Sequence, residues 1–463
     1  MGNPSGSGRE NLGSRLGFIL LTAGCAIGLG NIWRFPFITG KYGGAIFVLV
    51  YLLFLLLLGF PVMVMELAAG RASRRTLYGA CRVLPARKRF RWEIPGGIFF
   101  AGSAILMIFY TTVTGWMLAY AWDYLRGSIS ELDAVGVENF FGNFLASPVQ
   151  NVFWMALTVV LASVVCGIGL QRGVERITKL LMAGLFLLLI GLCSQALTLP
   201  GASEGMRFYL QPNLESLRQT GLAEVVIAAM GQAFFTLSIG IGSILIFGSY
   251  IDRDHSLAKE SLVIIALDTV VAMLAGVIIF PACFSYGVQV DSGPGLVFVS
   301  LPNVFNHMPG GRWWGLVFFL FMSAAALTTV VAVFENLIAF MIDEGKLRRP
   351  AAALLNGCLI GIFSLPCALG FNLLSGIQPL GKGSTILDFE DYLVSDNLLP
   401  LGGLFLILFC MLPAGWGWKN FLAEANSGHG LKIPAWSKYY LAVVLPLLIL
   451  LLFSVGFWRR WCQ

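Results

Sequence analysis

The chain contains about 11 long apolar stretches with few charges, and this feature restricts its possible folds more than any other. A helix needs about 20 apolar residues to cross a bilayer. Only 12% of the residues are charged, whereas soluble domains carry about a quarter. The sequence therefore predicts an all-α polytopic membrane protein. The spans are predicted at 13–39, 44–70, 94–125, 150–169, 175–199, 223–250, 258–286, 312–342, 351–370, 386–412 and 437–457.

The distribution of basic residues predicts the orientation of these spans. If the N-terminus lies inside, one cytoplasmic loop holds eight basic residues, whereas acidic residues lie in a loop outside. The eight are Arg71, Arg74, Arg75, Arg82, Arg87, Lys88, Arg89 and Arg91. Arg172, Arg176, Lys179, Lys346, Arg348 and Arg349 fall on the same side. We therefore expect a multi-pass protein of the cytoplasmic (inner) membrane with its C-terminus outside. Arg459 and Arg460 then lie on the outer side, against the rule. The net charge of +6 is explained by membrane insertion and gives no reason to expect a nucleic-acid partner.

Two of the apolar stretches are interrupted by glycines and polar residues. The first contains "AGCAIGLGNIWRFP" at 23–36, and the sixth contains "GQAFFTLSIGIGS" at 231–243. Because they are five spans apart, they cross the membrane in opposite directions, as in a five-plus-five inverted repeat with unwound helices 1 and 6. Unwinding exposes backbone groups that a ligand must satisfy. Exposed carbonyl groups suit cations, and the N-terminus of a half-helix suits a carboxylate.

This pattern predicts how the chain is divided. Residues 1–12 are assigned to a cytoplasmic N-terminal tail, and 13–199 form a first repeat of helices 1 to 5. An extracellular loop at 200–222 leads into a second repeat, helices 6 to 10, at 223–412. Residues 413–463 form a cytoplasmic loop and helix 11.

The two interrupted stretches also carry a family resemblance. "GSRLGFILLTAGCAIGLGNIWRFPF", "GGAIFVLVYLLFLLLLGFPVMVMELAAGR" and "GQAFFTLSIGIGS" closely resemble the neurotransmitter:sodium symporter family, in its bacterial amino-acid transporter branch that includes the leucine transporter. The likeness covers spans 1 to 10. It implies a secondary transporter, not an enzyme, that couples entry of Na⁺ to uptake of an amino acid or amine.

The resemblance implies two sodium sites and a substrate chamber. The first sodium site would use Ala26, Asn31, Thr236 and Asp268 together with the substrate carboxylate. The second would use carbonyl groups of Gly24, Ile27 and Ala325 with the hydroxyls of Thr328 and Thr329. The chamber would be lined by Ala26, Leu29, Gly30, Leu106, Tyr110, Phe235, Thr236, Ser238, Ile241, Thr329 and Val333. Tyr110 would donate its hydroxyl to the substrate carboxylate.

Two positions restrict the expected class of substrate and the ions that transport requires. Amine transporters of the family resemble this chain but carry an aspartate where Gly28 stands, so the glycine favours a ligand with its own carboxylate. We expect a neutral, hydrophobic L-amino acid. Asp268, with Tyr51 and Gln232 nearby, would supply the negative charge that chloride supplies in chloride-dependent relatives. Two Na⁺ and no chloride are therefore expected.

The resemblance also implies a gate at each end. Arg34 would pair with Asp391 on the outer side, with Asp388 as a substitute partner, and Arg9 with Asp343 on the inner side. Glu66 and Glu335 lie in apolar segments and are interpreted as structural carboxylates satisfied by backbone or polar neighbours.

Three other functions stay open at this point. The same site would serve an exchanger or a sensor, and an ion channel could use Asp268 and Glu335 as selectivity groups. A channel needs a continuous polar stripe, which the spans lack. The nine cysteines are scattered, mostly within spans, and are read as small buried apolar residues.

Overall fold

A computed structural model describes residues 12–85, 90–287 and 295–461. In this part of the chain all regular structure is helical apart from one isolated β-bridge. The helices are α1 (Arg15–Ala26), α2 (Gly30–Lys41), α3 (Ala45–Ser73), α4 (Leu77–Val83), α5 (Glu93–Arg126), α6 (Ala134–Ala146), α7 (Pro148–Ile168), α8 (Leu170–Ala196), α9 (Ala202–Leu210), α10 (Leu214–Thr220), α11 (Leu222–Thr236), α12 (Leu245–Gly248), α13 (Leu257–Tyr286), α14 (296–307), α15 (Gly311–Asp343), α16 (Arg349–Leu369), α17 (Ile386–Met411), α18 (Trp418–Ala425) and α19 (437–461).

The predicted spans correspond to these helices. Among the described residues, nine helices are long and apolar enough to cross a membrane, and the bent pair α1–α2 makes a tenth span. The sixth predicted span is divided between α11 and the short α12, so neither piece qualifies alone. The chain is thus an all-helical polytopic membrane protein. The predicted and observed first residues of the spans differ most for the fifth span, which was predicted to begin at 175 and begins at Leu170.

Among the long helices, α15, α17 and α5 are the most deeply buried. In the most apolar part of each, 78%, 67% and 61% of the residues are buried, against 28% in the last helix. α15 packs against α5, α8 and α1. The peripheral helices expose apolar side chains such as Leu187 and Val149, as expected of surfaces that face lipid. The first interrupted span therefore packs, through α1, against the most buried helix.

The first break lies between α1 and α2, whose axes differ by 52°. α1 ends because Ile27 adopts an extended conformation, with ψ at 99°. The chain re-enters a helix through a π-helical turn at Gly30–Arg34. Such turns are often found at functional sites.

The second break is a run of turns between α11 and α12. Gly240 and Gly242 have φ values of +101° and +79°, which residues with a Cβ rarely adopt. The Glu66 carboxylate accepts backbone N–H groups of Gly240 at 2.5 Å, Leu245 at 3.0 Å and Ile244 at 3.2 Å. A buried carboxyl group thus accepts the free N–H groups at the start of the second half-helix. Backbone groups satisfy Glu66, as its sequence setting predicted.

The two longest connections also contain helices. The connection at 200–222 holds α9 and α10, and that after α17 holds α18. Arg71 lies buried at the end of α3, although its place among the loop arginines predicted an exposed residue. Its Nε is 2.7 Å from Glu424 Oε1 on α18, so it ties that connection to the bundle. Arg87, Lys88 and Arg89 of the predicted basic loop lie outside the described residues.

Candidate substrate and sodium site

The two breaks meet in the middle of the bundle. The Ser238 hydroxyl of the second break donates to the carbonyl oxygen of Cys25, just before the first break, at 3.3 Å. The Gln232 amide donates to the carbonyl oxygen of Gly30 at 2.8 Å. All four residues are buried. The backbone groups released by both breaks are therefore held next to one another, away from solvent.

Tyr110 of α5 reaches the first break. Its hydroxyl accepts the backbone N–H of Leu29 at 2.8 Å. A Cβ added to Gly28 would lie 2.1 Å from Tyr110 Oη and 2.5 Å from Thr329 Oγ1, closer than a Cβ can approach. The Leu29 N–H thus lies beside the Tyr110 hydroxyl that was predicted to bind a carboxylate. A side chain at residue 28 would have to displace Tyr110 or Thr329.

The residues expected at the second sodium site are adjacent. The Thr329 hydroxyl lies within hydrogen-bonding distance of the carbonyl oxygens of Gly24, at 3.2 Å, and Ile27, at 3.4 Å. Thr328 donates instead to Ala325, on its own helix, at 2.7 Å. The Ala325 carbonyl oxygen lies 3.5 Å from the Thr329 hydroxyl, which is therefore surrounded by three carbonyl oxygens. Hard oxygen ligands of this kind, without a dense group of carboxylates, suit a monovalent cation better than Ca²⁺.

Three of the four residues expected at the first sodium site are also in contact. The Asn31 amide donates to Asp268 Oδ1 at 2.8 Å, and the Thr236 hydroxyl donates to Asp268 Oδ2 at 3.1 Å. Tyr51 lies next to Thr236 and Asp268. The remaining one, Ala26, lines the adjoining cavity. A buried carboxylate with amide and hydroxyl partners can accept a cation when the amide turns its oxygen toward it.

A narrow cavity of about 10 Å³ lies between the two breaks, which is room for about one water molecule. It is lined by Ala26, Gly30, Leu106, Tyr110, Phe235, Ser238, Thr329 and Leu399. Four predicted chamber residues do not line it: Leu29, Thr236, Ile241 and Val333. Ile241 packs on α5 instead, where a Cβ added to Gly102 would lie 2.8 Å from it. Nothing in the sequence distinguished Leu399 from its apolar neighbours. In this conformation the substrate chamber is too small to hold an amino acid.

Arg34 lies above this cavity, and its acidic partner differs from the expected one. Its guanidinium lies 4.4 Å from the centre of the Phe235 ring, which lines the cavity, and Nη2 is 3.9 Å from Asp396 Oδ1. Asp391 accepts the Ser395 hydroxyl instead, and Asp388 belongs to the capping box of α17 with Thr385.

The π-helical turn at Tyr392–Leu398 explains this partner. Side chains five residues apart point about 140° apart on an α-helix, from its 3.6 residues per turn. The wider turn brings Asp391 and Asp396 closer to one face. Arg34 therefore reaches the second acid, which the sequence pattern did not single out.

At the opposite end of the bundle the start of α1 is held by two glutamates that the sequence did not single out. Arg15 Nε lies 2.8 Å from Glu260 Oε1, and the backbone N–H of Gly13 donates to Glu175 Oε2 at 2.8 Å. Arg9, the expected partner of Asp343, lies outside the described residues. We call the two ends of the bundle the Arg34 end and the Arg15 end.

Glu335 of α15 is also satisfied, as predicted. It accepts the Tyr250 hydroxyl at 2.8 Å and lies 2.7 Å from Arg349 Nη1. This arrangement gives the carboxylate a structural role between α12, α15 and α16. Of the described cysteines all but Cys358 are buried, as expected of small apolar residues.

Comparison with known proteins identifies the family. Residues 9–131 and 145–460 match the model of the sodium:neurotransmitter symporter family. An uncharacterized sodium-dependent transporter of Bacillus subtilis is 34% identical over 95% of this chain and 96% of its own. One from Haemophilus influenzae is 32% identical over 96% and 97%. The crystal structure of MhsT in complex with L-phenylalanine is 37% identical and superposes with a TM-score of 0.87, covering 96% of this chain and 99% of that one. The chain therefore belongs to the sodium:neurotransmitter symporter family, whose members are sodium-coupled membrane transporters and not enzymes.

Proposed function

We propose that this protein takes up a neutral, hydrophobic L-amino acid together with Na⁺ by alternating access. One observation carries the proposal: groups suited to a carboxylate and groups suited to cations meet where the two interrupted spans touch. The Leu29 N–H and the Tyr110 hydroxyl form the first set. The oxygens around Thr329 and Asp268 form the second.

The crowding at Gly28 supports a ligand that brings its own carboxylate. An aspartate at this position, as amine transporters would need, has no room between Tyr110 and Thr329. An α-amino acid supplies the missing charge itself. The related structure of MhsT was solved with such a ligand, L-phenylalanine.

The chamber favours an uncharged side chain on that amino acid. Leu106, Phe235 and Leu399 line the cavity, and a charged side chain placed among them would lose its hydration without gaining a partner. We infer no particular size for the side chain of the substrate, because the cavity must widen before any amino acid fits.

Two sodium ions would bind beside the substrate. One would bind at Asp268, Asn31, Thr236 and the Ala26 carbonyl group, and would be completed by the substrate carboxylate. The other would bind at the carbonyl oxygens of Gly24, Ile27 and Ala325 with the threonine pair at 328 and 329. Because substrate and ion share the first site, each raises the affinity for the other equally.

Two ions supply enough free energy for concentrative uptake. Each gains about 2.3 kcal/mol per 100 mV and about 1.4 kcal/mol per tenfold gradient. Together they give roughly 7 kcal/mol, which corresponds to an accumulation on the order of 10⁵-fold.

We further propose that transport needs no chloride. Asp268 is buried next to Tyr51, Thr236 and Asn31, so a fixed negative charge is available where chloride-dependent relatives would bind the ion. Ala272, one turn further, offers no hydroxyl for such an ion.

The proposed orientation places the Arg34 end outside, in the cytoplasmic (inner) membrane. The Arg15 end carries the arginines at 71–82 and the basic residues of α8, which the positive-inside rule assigns to the cytoplasm. The N-terminus is then inside and the C-terminus outside.

Proteoliposomes test this function. An imposed inward Na⁺ gradient should drive net uptake of one or more labelled neutral amino acids, first selected from the standard set by thermal stabilisation of the purified protein in Na⁺. Uptake should persist when chloride is replaced by gluconate. Counterflow without net accumulation would instead indicate an exchanger, and conductance without substrate would indicate a channel.

A further inference from the structure

A wide cavity opens above Arg34, at the Arg34 end of the bundle. Its volume is about 550 Å³, and we call it the vestibule. Its walls come from α2, α11, α17 and the last helix, α19. The residues that α19 contributes are Leu452, Phe453, Gly456, Phe457 and Arg460. The last helix is therefore part of the wall of the pathway and not only a peripheral span.

The vestibule is lined by charged side chains of both signs. Its cations are Arg34, Lys41 and Arg460, and its acids are Glu224, Asp391 and Asp396. Arg460 is the charged residue that α19 contributes. It is also one of the two arginines at the C-terminal end that depart from the positive-inside rule, so its position needs a reason other than membrane insertion.

Arg460 is positioned by the same helix that carries the gate acids. Its guanidinium lies 4.4 Å from the centre of the Tyr392 ring, within the range of a cation–π interaction. Tyr392 begins the π-helical turn that contains Asp396. Asp396 lines the same cavity as Arg34 and Arg460. Asp396 thus shares this space with two cations from different helices.

The Arg34–Asp396 contact is loose. At 3.9 Å it is at the limit of an ion pair, and 48% of the Asp396 side chain is exposed to the vestibule. Arg34 is otherwise held over the Phe235 ring. A contact of this kind can be shifted by a modest change in the charge nearby.

From these contacts we propose that Arg460 is a positioning residue of the gate, which acts through Asp396 to favour the open vestibule. It competes with Arg34 for the Asp396 carboxylate and repels the Arg34 guanidinium. Both effects weaken closure by Arg34. When Arg34 moves away, Arg460 takes its place beside Asp396. This role rests on the proposed alternation of the vestibule between open and closed forms.

The accessibility of the vestibule tests this role without knowledge of the substrate. The reporter is an Ala228→Cys variant, because Ala228 lines the vestibule on α11. Cys358, exposed, and Cys462, outside the described residues, are replaced by serine. The rate of modification by an uncharged, hydrophilic and membrane-impermeant thiol reagent is then measured in Na⁺ and in K⁺, in the full-length protein.

Arg460→Gln should slow modification in Na⁺ by about two- to five-fold, the range expected of an exposed ion pair. Arg460→Lys should restore most of the rate. Arg218→Gln, which removes an exposed arginine from the neighbouring α10, should leave the rate unchanged. Reporter variants should show the same thermal unfolding temperature, which excludes misfolding as the cause.

A double-mutant cycle tests whether the effect passes through the carboxylate. In an Asp396→Asn background, Arg460→Gln should change the rate by less than about 1.5-fold, because the shared partner is already neutral. An equal effect in both backgrounds, or none in either, would overturn the proposal. If the Ala228→Cys reporter with Arg460 intact is modified at the same rate in Na⁺ and in K⁺, the proposed alternation between open and closed forms fails as well. A Na⁺ response with no Arg460 effect would overturn the gate role only.

Discussion

The Thr329 hydroxyl of α15 lies 3.2 Å from the carbonyl oxygen of Gly24, at the end of α1. This contact joins the most buried helix of the bundle to the first break. A Na⁺ ion at the proposed second site would bind the same groups and hold α1 against α15. We therefore expect Na⁺ binding at this contact to affect the shape of the bundle.

The first prediction concerns Thr329. Thr329→Val keeps the volume but removes an oxygen ligand, and should raise the Na⁺ concentration for half-maximal thermal stabilisation on the order of 10-fold, since bonds to charged groups contribute about 1.5–3 kcal/mol. Thr158→Val is the control, because Thr158 is buried in α7 and donates only to its own helix, at Trp154. An unchanged Na⁺ dependence would remove Thr329 from the ion site.

The second prediction concerns the hydroxyl of Tyr110. Tyr110→Phe should weaken binding of the amino acid on the order of 10-fold, since it removes a donor to a carboxylate. Tyr120→Phe is matched to it: Tyr120 is buried in the same helix and donates to a backbone oxygen, that of Phe298. Binding is measured by Na⁺-dependent scintillation proximity with the labelled ligand. Equal losses in both variants would show a structural effect and not recognition of a carboxylate.

The third prediction concerns Gly28. Gly28→Ala should abolish amino-acid transport, because its Cβ would lie within 2.5 Å of both Tyr110 Oη and Thr329 Oγ1. Gly184→Ala, on α8, meets nothing within 4 Å and should leave transport unchanged. Uptake into proteoliposomes measures both. Full transport by Gly28→Ala would mean that the substrate does not occupy the space beside Tyr110.

The fourth prediction concerns Asp268. The wild type should transport equally well in chloride and in gluconate. The double variant Asp268→Asn with Ala272→Ser replaces the fixed carboxylate by groups that can bind an anion, and should transport in chloride at least several-fold faster than in gluconate. The comparison of initial rates checks this. Chloride-dependent uptake by the wild type would contradict the proposed role of Asp268.

The fifth prediction distinguishes the two acids of α17. Asp396→Asn removes the carboxylate that lies 3.9 Å from Arg34 and should raise the dissociation rate of bound amino acid by about two- to five-fold, as for an exposed ion pair. Asp391→Asn should have a smaller effect, because Asp391 is engaged by Ser395. Washout of labelled ligand in Na⁺ measures both rates. A larger effect from Asp391→Asn would restore it as the gate partner.

The spans and both breaks could be predicted from the sequence because they depend on local properties. A long apolar stretch specifies a membrane helix wherever it lies in the fold, and clustered glycines such as Gly240 and Gly242 mark a backbone that cannot stay helical. The individual groups near the first break, such as Gly24, Ile27 and Leu29, were implied by the family resemblance, because they lie within the motif that carries it.

Only the tertiary structure decided which side chains meet across helices. Asp396 replaced Asp391 beside Arg34 because a π-helical turn changed the register of α17. Leu399 entered the chamber lining while Ile241 packed on α5. Arg460 reached the vestibule through the packing of α19 against α17. Such contacts depend on the rotation and the tilt of each helix, which are set by packing against its neighbours, so the sequence determined where the backbone opens and the fold determined which residues close around it.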